Sequence, residues 1–112
     1  MTRVLDDDVA ATALARGALP PDEVLAGTPT TGLLALDVVA GAEVGIWEMT
    51  AGTARDTEVD EVFIVIAGRG SVRFEDGEVV GLSPGVAVRL RAGERTEWSI
   101  TETLRKMYVA GP

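Results

Sequence analysis

From Leu33 onward the chain is a succession of short apolar segments, each closed by turn chemistry, and this pattern restricts it to β architecture. The segments run 33–39, 44–50, 61–67, 71–74, 78–82, 86–91, 96–100 and 105–109, which makes eight predicted strands. Between them stand Ala40-Gly41, Ala51-Gly52, Gly68-Arg69-Gly70, Glu75-Asp76-Gly77, Ser83-Pro84-Gly85 and Ala92-Gly93. Asp76-Gly77 is the strongest hairpin signal, because glycine supplies the positive φ that tight turns require. Strands at this spacing predict an all-β sandwich or barrel.

The first 31 residues have a different character. Asp6-Asp7-Asp8 precedes an alanine-rich run, and Gly17, Pro20 and Pro21 break any regular element beyond it. Asp8 or a neighbour is placed to cap a short helix through Arg16; the alternative is an extended arm. A free-standing helix of that length is marginal, so either form is expected to lie on the main body. The chain therefore divides into residues 1–31, an arm packed on the barrel, and 32–112, the barrel itself. At 112 residues, a second independent core is not expected, since domains usually need about 100 residues each.

Two absences narrow the chemistry. The chain has no histidine and no cysteine, which removes disulfides, thiolate metal sites, cysteine nucleophiles, imidazole bases and imidazole ligands. Catalysis would fall to Asp, Glu, Lys, Arg, Tyr, Ser or Thr. A formal charge of −8 disfavours nucleic acid, whose binding rests on clustered cations. The N-terminus lacks the basic and then apolar segments of a secretory signal, and no apolar run is long enough to span a bilayer. A cytoplasmic protein with no membrane partner is the expectation.

The spacing of Glu61, Gly68, Gly85, Arg91 and Gly93, with Gly45 to Gly52, Trp98 and the closing Arg105-Lys106-Met107-Tyr108-Val109, resembles a small single-domain cupin. Within cupins it is similar to the subgroup of ureidoglycine aminohydrolase and the ethanolamine-utilisation cupins. The resemblance implies a jelly-roll barrel. It also implies where a metal would bind: cupins that hold one usually supply two histidines and a glutamate from the first motif and a histidine from the second. Here the glutamate is Glu61, while the histidine places fall near Arg55 and Thr57, or one residue earlier, and at Thr96. Threonine is a poor neutral ligand and arginine repels a cation, so no metal or other cofactor is expected. Asp56, Glu58 and Asp60 share one face of an extended segment and Glu61 takes the other, so they are not expected to converge with it.

In such a barrel, alternation puts Glu61, Phe63 and Val65 on the inside of one strand and Thr96, Trp98 and Ile100 on the inside of another. The expected pocket is apolar with one acid, walled by Trp47, Phe63 and Trp98 and completed by Arg55, Thr57 and Thr96. Glu61 is the candidate acid or base, with Lys106 and Tyr108, two apart on the last strand, placed to polarise a carbonyl. Each has a structural alternative: Glu61 pairs with Arg55, Arg73 or Lys106, Tyr108 packs, and the tryptophans fill the core. Arg89, Arg91 and Arg95 either clamp an anion or pair with acids, and pairing is preferred in so acidic a chain. The run 62–66 is apolar on both faces, which nominates it as a homodimer interface.

The sequence therefore predicts a metal-independent protein that binds a small organic molecule or serves as an accessory in a metabolic pathway. A metal-free isomerase, lyase or cyclase using Glu61 is the alternative. A barrel filled only by its own side chains is a third.

Overall fold

The computed structural model describes residues 3–112. Its strands are β1 (Arg16–Ala18), β2 (Val24–Ala26), β3 (Thr30–Val39), β4 (Ala42–Met49), β5 (Gly52–Thr57), β6 (Glu61–Phe74), β7 (Val79–Leu82), β8 (Ala87–Leu90) and β9 (Arg95–Ala110). They form a jelly-roll barrel. All the pairings are antiparallel.

The spine is the pair β6 and β9, which run alongside each other from Glu61↔Ala110 to Phe74↔Thr96. The other edge of β9 takes β5 along its first half and β4 along its second. Similarly, β8 pairs with the first half of β6 and β7 with the second. Each long strand thus belongs to both layers of the barrel, and the sheet bends where it passes between them.

That bend corrects the expected segmentation. The stretches 61–67 and 71–74 are one strand, and Gly68-Arg69-Gly70 is a set of register shifts within it rather than a turn. Gly68 has φ +91, and a Cβ there would collide with the carbonyl oxygen of Thr103 on β9. The glycine serves the close approach of two backbones. Likewise 96–100 and 105–109 fuse into β9. Strand β5 has no counterpart among the predicted segments, because Gly52–Thr57 carries little apolar material. The Asp76-Gly77 hairpin forms as expected: Gly77 has φ +93 and its N–H bonds the Phe74 carbonyl at 3.0 Å.

The arm takes the extended form. The Asp8 carbonyl accepts the N–H groups of Ala11 and Thr12 at 3.0 and 3.1 Å, but the turn propagates no further. Strand β1 pairs with β3, a single 3-10 turn spans Pro21–Glu23, and β2 pairs with β5. No α-helix occurs among the described residues, and none of their helical segments is long and apolar enough to cross a membrane.

The barrel interior is packed by Met49, Phe63, Val65, Val72, Leu82, Leu90, Trp98, Ile100 and Leu104, all nearly or fully buried. Alternation holds within each half of β6 and changes phase at the bend: Phe63 and Val65 point in before it and Val72 and Phe74 after it, whereas Val62 and Ile64 stand 50% and 43% exposed on the outer surface.

Candidate functional site

The inward faces of β4, β6 and β9 meet at one end of the barrel. Register places Trp47 opposite Lys106 across β4 and β9, and Phe63 opposite Tyr108 across β6 and β9. Lys106 is buried. Its Nζ donates to Glu61 Oε2 at 2.6 Å and lies 4.4 Å from the ring centre of Phe63, 4.6 Å from Trp47 and 4.8 Å from Trp98. A carboxylate and three aromatic faces supply what water would have given the ammonium, which lets a lysine stand inside the barrel.

Glu61 is inside as expected, but it is not a lone acid. Of the three partners the sequence allowed, Lys106 is the one that binds it. The same contact bears on the metal question. A fixed ammonium stands against the one ligand that the cupin pattern retains, and of the two settings the sequence allowed for the other first-motif places it is the earlier one, Ala54 and Asp56, that shares the face of Trp98 and Thr96, while Arg55 and Thr57 are exposed. No group of three or more acidic residues able to hold a metal ion occurs among the described residues. This donor set does not fit a transition metal.

A second acid enters from a place the alternation rule misjudged. Strand β5 ends at Thr57, and the link to β6 is pinned by Glu58 N–H to the Glu94 carbonyl at 2.8 Å and Gly93 N–H to the Glu58 carbonyl at 2.9 Å. Glu58 keeps the phase of Ala54 and Asp56, which pair with the inward Trp98 and Thr96, so it points inward, where it is buried; the phase changes only after it. Asp60 instead faces out, accepting from Ala92 N–H at 3.1 Å and Arg89 at 3.2 Å. Glu58 Oε2 accepts from Thr96 Oγ1 at 2.6 Å and from the Trp98 indole N–H at 3.0 Å. Parity along a strand does not survive the end of the strand.

These groups border a cavity of about 350 Å³ whose lining includes Leu19 and Glu23 of the arm, Trp47, Glu58, Glu61 and Trp98. Arg55, Asp56, Thr57, Lys106 and Tyr108 also reach it. Phe63 does not; it lies behind Lys106 in the packed interior. Thr96 borders instead the wider, charge-lined cleft of about 870 Å³ that shares Glu23, Arg55, Asp56 and Thr57 with the cavity. The smaller space is the better candidate, because its aromatic wall and few converging polar groups suit a bound molecule, while the cleft is a solvated approach to it.

Asp56 sits at the shared lip in contact with solvent. Partial enclosure of its carboxyl, and then the charge of Glu58, push it up to about 6. The Tyr108 hydroxyl donates to Glu43 Oε2 at 2.7 Å. Burial first, then Glu43, raises its pKa, so it stays a neutral hydroxyl already committed to a carboxylate. Arg89 and Arg95 pair outside with Asp60 and Glu75.

On the outer face of β4 and β9, Glu48 is clamped by Arg105 at 2.9 Å and by Arg16 of the arm at 2.8 Å. Burial alone would raise the Glu48 carboxyl, but these two guanidinium groups outweigh it and hold it below the usual range. Arg105 Nη1 also donates to the Val9 and Thr12 carbonyls at 2.9 and 2.6 Å, fastening the arm whose later residues line the cavity.

Alternation counted back from Glu61 sets Asp56 and Glu58 on the face away from it, whereas all three border the same cavity. A signal for Glu58 is its even spacing from Ala54 and Asp56 on β5, whose alternation still applies to it.

Comparison with known proteins agrees with the architecture. A family model described as the EutQ-like cupin domain matches residues 39–108. The EutQ protein of Clostridium difficile superposes with a TM-score of 0.67 at 24% identity, over 75% of this chain and 69% of that one. A protein of unknown function from Rhizobium leguminosarum bv. viciae 3841 is 30% identical with a TM-score of 0.65, over 73% of this chain and 81% of its own. One from Pseudomonas syringae pv. tomato str. DC3000, also of unknown function, gives a TM-score of 0.76 at 22% identity; it covers 91% of this chain, which spans 45% of its length. No curated protein matches the chain.

Proposed function

Because this chain belongs to the EutQ-like cupin family, we propose that it binds a small organic molecule in its barrel cavity without a transition metal, as a binding or accessory protein of a cytoplasmic metabolic pathway. The observation that carries this reading is the Lys106 ammonium held by Glu61 inside an aromatic cage at the floor of the cavity. A built-in cation takes the electrostatic place of a metal ion beside the retained glutamate. The ligand would rest against Trp47 and Trp98, with Glu58, Asp56 and Arg55 as orienting groups. The exposed Val62, Ile64 and Val109 on the outer surface favour a homodimer.

Native mass spectrometry of freshly purified protein tests the metal-free reading. A mass without metal is expected, and stoichiometric zinc, iron or manganese would overturn it.

A second reading, proton-transfer catalysis of the isomerase, lyase or cyclase kind, draws on a different observation. Asp56, with its carboxyl near 6 at the cavity lip, is poised to exchange a proton near neutral pH. Glu61 would then hold Lys106 in place rather than act as the base. Against a substrate once found, Asp56→Asn should lower kcat far more than it raises KM; unchanged kcat would remove this reading.

A further inference from the structure

Resting on the pocket reading above, we propose that the ligand is a small protonated amine, whose N–H groups are received by the free carboxylate oxygens of Glu58 and Glu61 and by Asp56 at the lip. Charge is the first argument. The cavity is lined by the carboxylates of Glu23, Asp56, Glu58 and Glu61 against the two cations Arg55 and Lys106. Lys106 is already neutralised by Glu61 at 2.6 Å and by three ring faces, so it offers little to an incoming anion.

The second argument is an unfilled acceptor. Glu58 is only 7% exposed, and both of its protein donors, Thr96 Oγ1 and Trp98 Nε1, go to Oε2. Oε1 receives no donor from the protein. No buried side-chain oxygen or nitrogen among the described residues lacks a partner, so Oε1 is not fully enclosed, and the space that Glu58 borders is this cavity. The same holds for Glu61 Oε1, since Lys106 takes Oε2. Two largely buried carboxylates that border the same space thus each keep one oxygen without a protein donor, and a bound N–H donor would complete both.

The walls agree. The indole rings of Trp47 and Trp98, 5.4 Å apart between centres, give the alkyl part of such a ligand an apolar wall. An anion placed here would meet the four carboxylates of Glu23, Asp56, Glu58 and Glu61 and would have to draw Lys106 away from Glu61.

The test uses three probes of matched shape, n-butylammonium, n-butanol and butyrate, near neutral pH. The chain has two tryptophans, and both line the cavity, so intrinsic fluorescence reports on this space. Saturable quenching or shift by butylammonium at lower concentration than by butanol, with no response to butyrate, is expected. In Glu58→Gln, whose amide oxygen can still accept from Thr96 and Trp98, half-saturation by butylammonium should move about tenfold higher while circular dichroism shows the fold unchanged. Asp56→Asn, at the exposed lip, should weaken the same probe without touching the Trp98 contact.

Butyrate saturating before butylammonium would overturn the amine assignment and leave the pocket standing. So would an unchanged butylammonium midpoint in both variants, or magnesium chloride alone saturating the signal at lower concentration. No saturable response to any of the three organic probes would overturn the pocket reading itself.

Discussion

Lys106 Nζ lies 2.6 Å from Glu61 Oε2 with only 6% and 11% of the two side chains exposed, so each charge is the reason the other is tolerated inside the barrel. Removing one partner strands the other. Lys106→Met should therefore destabilise the fold by about 3–5 kcal/mol in urea denaturation, whereas the double variant Lys106→Met/Glu61→Leu should recover most of that loss. Additive losses in the double variant would show that the pair is not coupled.

The barrel was legible because its evidence is local and periodic. Alternation put Phe63, Val65, Trp98 and Ile100 inside, where they are, and Asp76-Gly77 turned where expected. What escaped was set by long-range geometry. Gly68-Arg69-Gly70 has the composition of a turn, and only the proximity of Thr103 on β9 makes it a bend within one strand. A chain without histidine must fill the histidine places otherwise, but that Lys106 meets Glu61 inside the barrel depends on β4, β6 and β9 converging. Glu58 was misjudged because the chain turns between β5 and β6, which no period-2 count registers.

Asp56 makes stability depend on pH in an uncommon direction for a carboxylate. Its folded-state pKa is raised from 3.8 to about 6, so between those values the folded protein binds more protons than the unfolded chain. Its contribution therefore falls as pH rises through that window and stays reduced above it. Asp56→Asn should match the parent's thermal midpoint below pH 3.8 and exceed it above about 6. Thermal scans across the window check this, and a gap that narrows with rising pH would contradict the assignment.

Val62 and Val109 are register partners on the outer surface, 50% and 46% exposed, with Ile64 at 43% on the same strand as Val62. If this face is the homodimer interface, Val62→Lys/Ile64→Lys should convert a dimer to a monomer by light scattering on a size-exclusion column, since a buried unpaired charge is strongly disfavoured. Retention of the dimer would place the interface elsewhere. Intact circular dichroism is expected either way, because Phe63 and Val65 on the inner face are untouched.

Arg105 joins the arm to the barrel through bonds that lysine cannot reproduce together. Its guanidinium holds Glu48 at 2.9 Å and also reaches the Val9 and Thr12 carbonyls at 2.9 and 2.6 Å. Arg105→Lys keeps the buried charge opposite Glu48 but lacks the planar fork, so the arm should loosen while the barrel stays folded. Arg16, which also pairs with Glu48 and precedes the Leu19 and Glu23 that line the cavity, is the trypsin site that reports it. Cleavage after Arg16 should be faster in the variant by about tenfold, the rate change for roughly 1.4 kcal/mol of lost arm attachment when cleavage follows the open population. An unchanged rate would mean that the strand pairing of β1 with β3, rather than the Arg105 clamp, holds the arm down.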